Sequence, residues 1–193
     1  MDLAPFGAVV LSGGRGRRLG GADKAALQLR GRSLLDRALD AVEGACGVVV
    51  VGEARSAPAS VRFVVEEPRY AGPAAALLTG AAALECTPSP QTLAVLAVDM
   101  PEVSAATIDR LRVAARGRDG SVLTGPDGRR QLALVLDAAR LGQIAPEADA
   151  RRDLALWRLL APLDLVEVAA TGGEHLDVDT WSDLDRLAGH DDD

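Results

Sequence analysis

Leu93–Val98 reads LAVLAV, six apolar residues in a row with no polar position among them. A strand with one wet face alternates polar and apolar residues. A run that is apolar throughout belongs in a sheet covered on both sides, the setting of a central parallel strand. Gly7–Leu11 reads as a further strand, and Gly47–Val51 (GVVVV) and Val61–Val65 (VRFVV) are short β-branched runs. Segments of helical character lie between these runs. Ser33–Glu43 has helical spacing, with Ser33 a candidate N-cap and Asp36 three residues on. Pro73–Leu84 is a small-residue helix with proline at its start, and Ser104–Ala115 follows the central strand, capped by Ser104. Gly120–Leu123 and Gln131–Leu136 read as strands split by the turn Gly125-Pro126-Asp127-Gly128. Helices are expected near 137–144 and 152–160, a strand at Leu163–Val168 and a closing helix at Thr180–Leu187. The βαβ rhythm predicts a single-domain three-layer α/β/α sandwich around a mostly parallel, Rossmann-like sheet. The domain spans 1–188, and the tail 189–193 (GHDDD) is expected to be disordered.

Composition narrows the function classes. Hydrophobic residues make up 48% of the 193 and aromatic ones 3%, so the core must be built from Ala, Leu and Val. A net charge of −7 argues against nucleic-acid and anionic-membrane partners. No apolar run reaches the ~18 residues of a membrane span, and no basic region precedes the first apolar run, as a signal peptide would require. Cys46 and Cys86 are far apart and unaccompanied by histidine. They read as buried small hydrophobes in a reducing, cytoplasmic setting, not as a disulfide or a zinc site. His175 and His190 are the only histidines, which disfavours a histidine metal centre or triad.

The chemistry concentrates in one loop. Ala8–Leu11 ends in a segment with glycines at 13, 14, 16, 20 and 21, and Arg15, Arg17, Arg18 and Lys24 sit in or beside it. Backbone N–H groups without side-chain bulk, with cations nearby, suit a polyphosphate. Lys24 is the single lysine among twenty arginines. An ammonium is a compact point charge and a guanidinium a planar fork, so the position calls for the ammonium's shape. Two familiar phosphate motifs fail here. Walker A read from Gly16 would need Lys and Ser or Thr after Gly21, where Ala22 and Asp23 stand. The dinucleotide fingerprint begun by Gly14-Arg15-Gly16 meets Leu19 where glycine is required.

What does match is L-S-G-G-x-x-x-R-L-G-x-x-D-K, at Leu11 to Lys24. This resembles the signature loop of nucleotidyltransferases that join an NTP to a phosphorylated acceptor and release pyrophosphate. Within them it is most similar to the molybdenum cofactor guanylyltransferases, of the MobA-like NTP transferase family. Three further segments agree in order: Glu66 through Gly72-Pro73, Ala97-Val98-Asp99-Met100-Pro101, and Asp177-Val178-Asp179-Thr180 with Asp183-Leu184. The resemblance runs from residue 8 to about 187. It implies the nucleotide-diphospho-sugar transferase type of fold.

The residues make chemical sense by themselves. Asp99 ends the most apolar strand, and in open α/β sheets ligands bind beyond the carboxyl ends of strands. Asp99 should therefore face the crevice of the Gly13-Gly14 loop, where a carboxylate is a natural Mg²⁺ ligand. Asp177 and Asp179 point the same way if their segment is extended, and one could complete the metal site. Glu66 is the better-placed base reader, since a carboxylate can accept both the N1–H and the N2 amino group of guanine. Glu67 would face the other way. The resemblance usually has Asp there. Gly72, followed by Pro73, allows close approach of backbone to base or ribose.

The nucleotide-binding set is thus Leu11, Ser12, Gly13, Gly14, Lys24, Glu66, Gly72, Pro73 and Asp99, with Arg18, Lys24 and Asp99 catalytic and Asp99, Asp177 and Asp179 around Mg²⁺. The resemblance implies GTP and molybdenum-loaded molybdopterin as substrates, and molybdoenzymes or cofactor-delivery proteins as downstream partners. Cytidylyl transfer, another phosphorylated acceptor, and a non-catalytic nucleotide-binding partner on the same fold are the alternatives. Arg129, Arg130, Gln131, Arg151 and Arg152 are candidates for meeting an anionic acceptor, the last two at the start of a late helix.

Overall fold

A computed structural model describes residues 3–13 and 19–189. Seven strands form the main sheet in the order β5-β4-β1-β6-β8-β7-β9. They are β1 (Phe6–Leu11), β4 (Val48–Val51), β5 (Val61–Val64), β6 (Thr92–Ala97), β7 (Gly120–Thr124), β8 (Arg130–Asp137) and β9 (Leu165–Ala169). Every pairing is parallel except those of β8 with β6 and with β7. The exception follows from the predicted turn. Gly125–Gly128 reverses the chain after β7, with Gly128 at φ 77, and the returning strand inserts beside β6.

The helices are α1 (Leu34–Ala41), α2 (Pro73–Ala82), α3 (Ala105–Ala114), α4 (Ala138–Ile144), α5 (Leu156–Leu160) and α6 (Trp181–Ala188). They fall into two layers, as the apolar strands require. Ala94 and Leu96 of β6 pack with residues of α1, α3 and α6, whereas Leu93 and Val95 pack with residues of α2, α4 and α5. β1 divides the same way, Ala8 and Val10 to one layer and Val9 and Leu11 to the other. The three-layer α/β sandwich and its mostly parallel sheet are therefore as the sequence predicts. The two expected caps agree: Ser33 accepts from the Asp36 N–H and Ser104 from that of Thr107. Thr180 caps α6 in the same way, accepting from the Asp183 N–H.

Local differences have physical causes. A two-stranded hairpin, β2 (Gln28–Leu29) with β3 (Arg32–Ser33), turns on Arg30 and Gly31, both at positive φ. Arg-Gly is not among the dipeptides that announce such a turn. Helix α5 starts at Leu156, so Arg151 and Arg152 do not open it; Arg151 ends a 3-10 turn (Ala148–Arg151).

Cys46 and Cys86 form a disulfide, with Cα atoms 5.8 Å apart and Cys46 exposed, which corrects the reading as separate buried thiols. The approach to β4 and the exit from α2 run side by side, and a Cβ on Gly47 would lie 3.0 Å from the Cys86 Sγ. A pairing across 40 residues leaves no mark in local sequence. Among the described residues no helix is long and apolar enough to cross a membrane. The tail residues 190–193 lie outside the described residues.

Candidate active site

The register of the sheet brings the site together. Leu11 of β1 pairs with Ala97 of β6, so both strands deliver their following residues to one carboxyl edge. The Val98 N–H donates to the Leu11 carbonyl, which holds Asp99 beside the loop after β1. The Val178 N–H donates to the Asp99 carbonyl at 2.9 Å, and Val178 is fully buried. That anchor leaves Asp177 and Asp179 on either side of a fixed point.

Lys24 then makes the central contact. Its Nζ donates to Asp99 Oδ2 at 2.8 Å and to Asp179 Oδ1 at 2.6 Å. Burial alone would lower the pKa of Lys24, but the two carboxylates outweigh it and hold the ammonium above its ordinary value. Lys24 opens a short 3-10 turn (Lys24–Ala26), whose N-cap Asp23 accepts from the Ala25 N–H and pairs with Arg55. Partial burial, together with the nearby Asp179 and Asp99 carboxylates, raises the Asp177 carboxyl.

A cavity of about 340 Å³ opens over this cluster. Its walls include Leu11, Ser12 and Gly13 of the loop, Lys24, Asp99, Glu66, Gly72 and Pro73. Eight of the predicted nucleotide-binding residues thus share one cavity, while Gly14 and Arg18 lie outside the described residues. Glu66 is 8% exposed and its Oε1 accepts from the Tyr70 N–H at 3.0 Å, whereas Glu67 faces solvent. Gly72 has φ 102 and caps α2 without a side chain, so its backbone reaches a conformation that L side chains rarely adopt. A second cavity, of about 270 Å³, shares Ser12, Gly13, Asp23, Glu66 and Tyr70 with the first and extends to Glu53, Arg55 and Arg69.

The donors at the site are hard oxygens, and Asp99 and Asp179 already converge on one cation, the Lys24 ammonium. Two carboxylates with room for phosphate and water oxygens suit Mg²⁺. Among the described residues no group of three or more His, Cys, Asp and Glu is arranged to hold a metal unaided.

The acceptor candidates do not join the cavity. Arg130 pairs with Glu167, the Gln131 amide donates to the Arg129 carbonyl, and Arg151 donates to the Pro146 carbonyl. Leu132, one residue on, does line it. Asp23, Arg55 and Tyr70 were not singled out by sequence. Asp23 stands in the signature loop and could have been; Arg55 and Tyr70 carry no signal of their own.

The family model described as the MobA-like NTP transferase domain matches residues 8–168. A probable molybdenum cofactor guanylyltransferase of Opitutus terrae is 41% identical over 69% of this chain and 67% of its own length. A molybdenum cofactor guanylyltransferase of Acidiphilium cryptum is 46% identical over 38% of this chain and 40% of its own. The chain thus matches about two fifths to two thirds of these relatives' lengths. The crystal structure of Rv0371c from Mycobacterium tuberculosis superposes with a TM-score of 0.74 at 27% identity, covering 97% of this chain and 99% of that one. The molybdopterin-guanine dinucleotide biosynthesis protein A of Archaeoglobus fulgidus shares the fold, with a TM-score of 0.70 at 19% identity over 94% of this chain and 96% of that one.

Proposed function

The chain belongs to the MobA-like NTP transferase family, and on that premise we propose that it transfers GMP from GTP to the terminal phosphate of molybdenum-loaded molybdopterin. The products are molybdopterin guanine dinucleotide and pyrophosphate. The observation that carries the reading is the Lys24 ammonium held between Asp99 and Asp179 on the wall of a cavity that also takes in Ser12, Gly13 and the buried Glu66. The names of the Opitutus and Acidiphilium relatives support the guanylyl choice.

In this reading the amides of Ser12, Gly13 and Gly14, with Lys24 and Arg18, hold the β- and γ-phosphates. Glu66 accepts from the guanine edge, and Gly72 and Pro73 bring the start of α2 close to the nucleoside. Asp99, together with Asp179 or Asp177, would hold Mg²⁺, which neutralises charge on the phosphates when bound. An oxygen of the acceptor's terminal phosphate attacks the α-phosphorus in line. The bond from that phosphorus to the β-phosphate bridging oxygen breaks, and pyrophosphate leaves. A phosphate monoester is anionic near neutral pH, so no side chain need remove a proton. Positioning and electrostatics carry the rate. The product would pass to molybdoenzymes or to proteins that deliver the cofactor, and the reaction would run in the cytoplasm.

The test is pyrophosphate release with GTP, CTP, ATP or UTP, each with Mg²⁺ and molybdenum-loaded molybdopterin. Release with GTP above the other three is expected. Preference for CTP would make the product a cytosine dinucleotide, and silence with every NTP would leave a binding protein on this fold.

A further inference from the structure

Tyr70 is the only tyrosine in the chain. Among the described residues it is also the only aromatic residue lining either cavity. It stands where the two cavities meet, beside Glu66, and is 53% exposed in a chain with few aromatic residues to expose. Its backbone is at φ 63, a left-handed conformation that costs a non-glycine residue roughly 1 kcal/mol or more. A bulky side chain kept there calls for a function of the ring, because glycine would serve the backbone better. The Tyr70 N–H is bonded to the Glu66 carboxylate, so the position of one is fixed to the position of the other.

We propose that Tyr70 is the stacking platform for the nucleobase, its ring covering the base face while Glu66 takes the base edge. The inference rests on the nucleotidyl-transfer reading and adds a specificity-neutral source of affinity to it. Stacking on an aromatic ring is tolerant of base identity, since every base has a π-face, whereas a carboxylate on the Watson–Crick edge discriminates. The two residues therefore divide the work: Tyr70 sets how tightly any NTP is held, and Glu66 sets which one.

The experiment is equilibrium binding of GTP, CTP and inorganic tripolyphosphate, each with Mg²⁺, to the wild type and to Tyr70→Gly, Tyr70→Phe and Glu66→Gln. Tyr70→Gly suits the left-handed backbone while removing the ring, so the loop is not penalised. We expect Tyr70→Gly to weaken GTP and CTP alike by about tenfold and to leave tripolyphosphate unchanged. Tyr70→Phe should bind as the wild type does, and Glu66→Gln should shift the GTP-to-CTP ratio. Unchanged GTP binding by Tyr70→Gly would overturn the proposal. So would an equal loss of tripolyphosphate, or a Tyr70→Phe variant as weak as the glycine one. A wild type that binds tripolyphosphate but no nucleotide would overturn the nucleotidyl-transfer reading itself, a result distinct from failure of the stacking role alone.

Discussion

Lys24 holds two carboxylates that would otherwise repel each other, Asp99 at 2.8 Å and Asp179 at 2.6 Å. Its replacement by alanine removes a phosphate-binding cation and also leaves two partly buried carboxylates facing each other. Loss of one preorganised electrostatic contact of this kind typically costs 10²–10³-fold in turnover. Lys24→Ala is therefore expected to lower pyrophosphate release about 10²-fold or more, with circular dichroism showing a folded protein. Asp99→Ala is expected to do the same, and near-normal turnover in both would remove them from the site. Lys24→Arg should recover little, because a fork cannot occupy a point-charge position between two carboxylates. At this scale the sequence was informative where a residue follows a recognisable strand. Lys24 and Asp99 could be assigned to one crevice because each follows a strand on the same sheet edge. Asp177 and Asp179 could both be placed near Asp99, but that Asp179 is the one meeting Lys24 could not be read, since it lies 155 residues away and the Val178–Asp99 backbone bond sets which neighbour turns inward. Tyr70 escaped for another reason: nothing in its neighbours announces a positive φ.

Helix α2 shows how an element places the site. It is made of small residues, and Gly80 rests so close to the sheet that an added Cβ would lie 2.5 Å from Val9 Cγ1 and 2.8 Å from Val51 Cγ2. Both valines are in β1 and β4, the strands that feed the loop and the second cavity. Gly80→Ala gains up to about 1 kcal/mol of helix propensity, but overpacking two core methyl groups costs typically 1–3 kcal/mol. The expected result is a lower denaturation midpoint, read by urea titration; a midpoint raised above wild type would mean the helix can lift away freely. Helix α6 works through its cap. The Asp183 carboxylate accepts from the N–H groups of Asp179 and Thr180 and from the Thr180 hydroxyl. Thr180→Ala should cost about 1 kcal/mol of stability and, because the same network holds Asp179, should lower turnover beyond what that loss explains. Unchanged turnover in the folded variant would separate the cap from the site. Helix starts were legible where a side-chain cap marks them, because a cap is a local device of three or four residues, as Ser33 and Ser104 illustrate; α5, whose N-cap Ala155 makes no such bond, was placed too early. The β2–β3 hairpin was not, because its strands are two residues long and carry no period to recognise.

Across the whole molecule, the same limit separates what could be read from what could not. The layers and most strands followed from apolar patterning, while the ties that close the fold join distant segments. Cys46–Cys86 is one such tie and Glu174 another. Glu174 is buried, yet it accepts two bonds from the Arg110 guanidinium of α3, at 2.8 and 2.9 Å, one from the Thr107 hydroxyl and one from the Thr171 N–H. Burial alone would raise its pKa, but the Arg110, Thr107 and Thr171 bonds outweigh it and bring the carboxyl down to about 2. A carboxyl depressed in the folded state favours folding when ionised, so its contribution is complete above the unfolded value, roughly 4.3. It is lost as pH falls through that value toward about 2. The depression corresponds to at most about 3 kcal/mol. Glu174→Gln is therefore expected to be less stable than wild type at pH 7, with the two stability curves converging between pH about 4.5 and 2, as followed by denaturant melts at each pH. Parallel curves through that window would show that Glu174 is not held as an anion. The consequence reaches the site, because residue 174 fixes the loop from β9 just ahead of Asp177 and Asp179. Acid strong enough to protonate Glu174, near pH 2, frees that loop from α3 and should loosen the Lys24–Asp179 contact. Glu174→Gln should reproduce that loosening at neutral pH as a turnover loss larger than the stability change predicts.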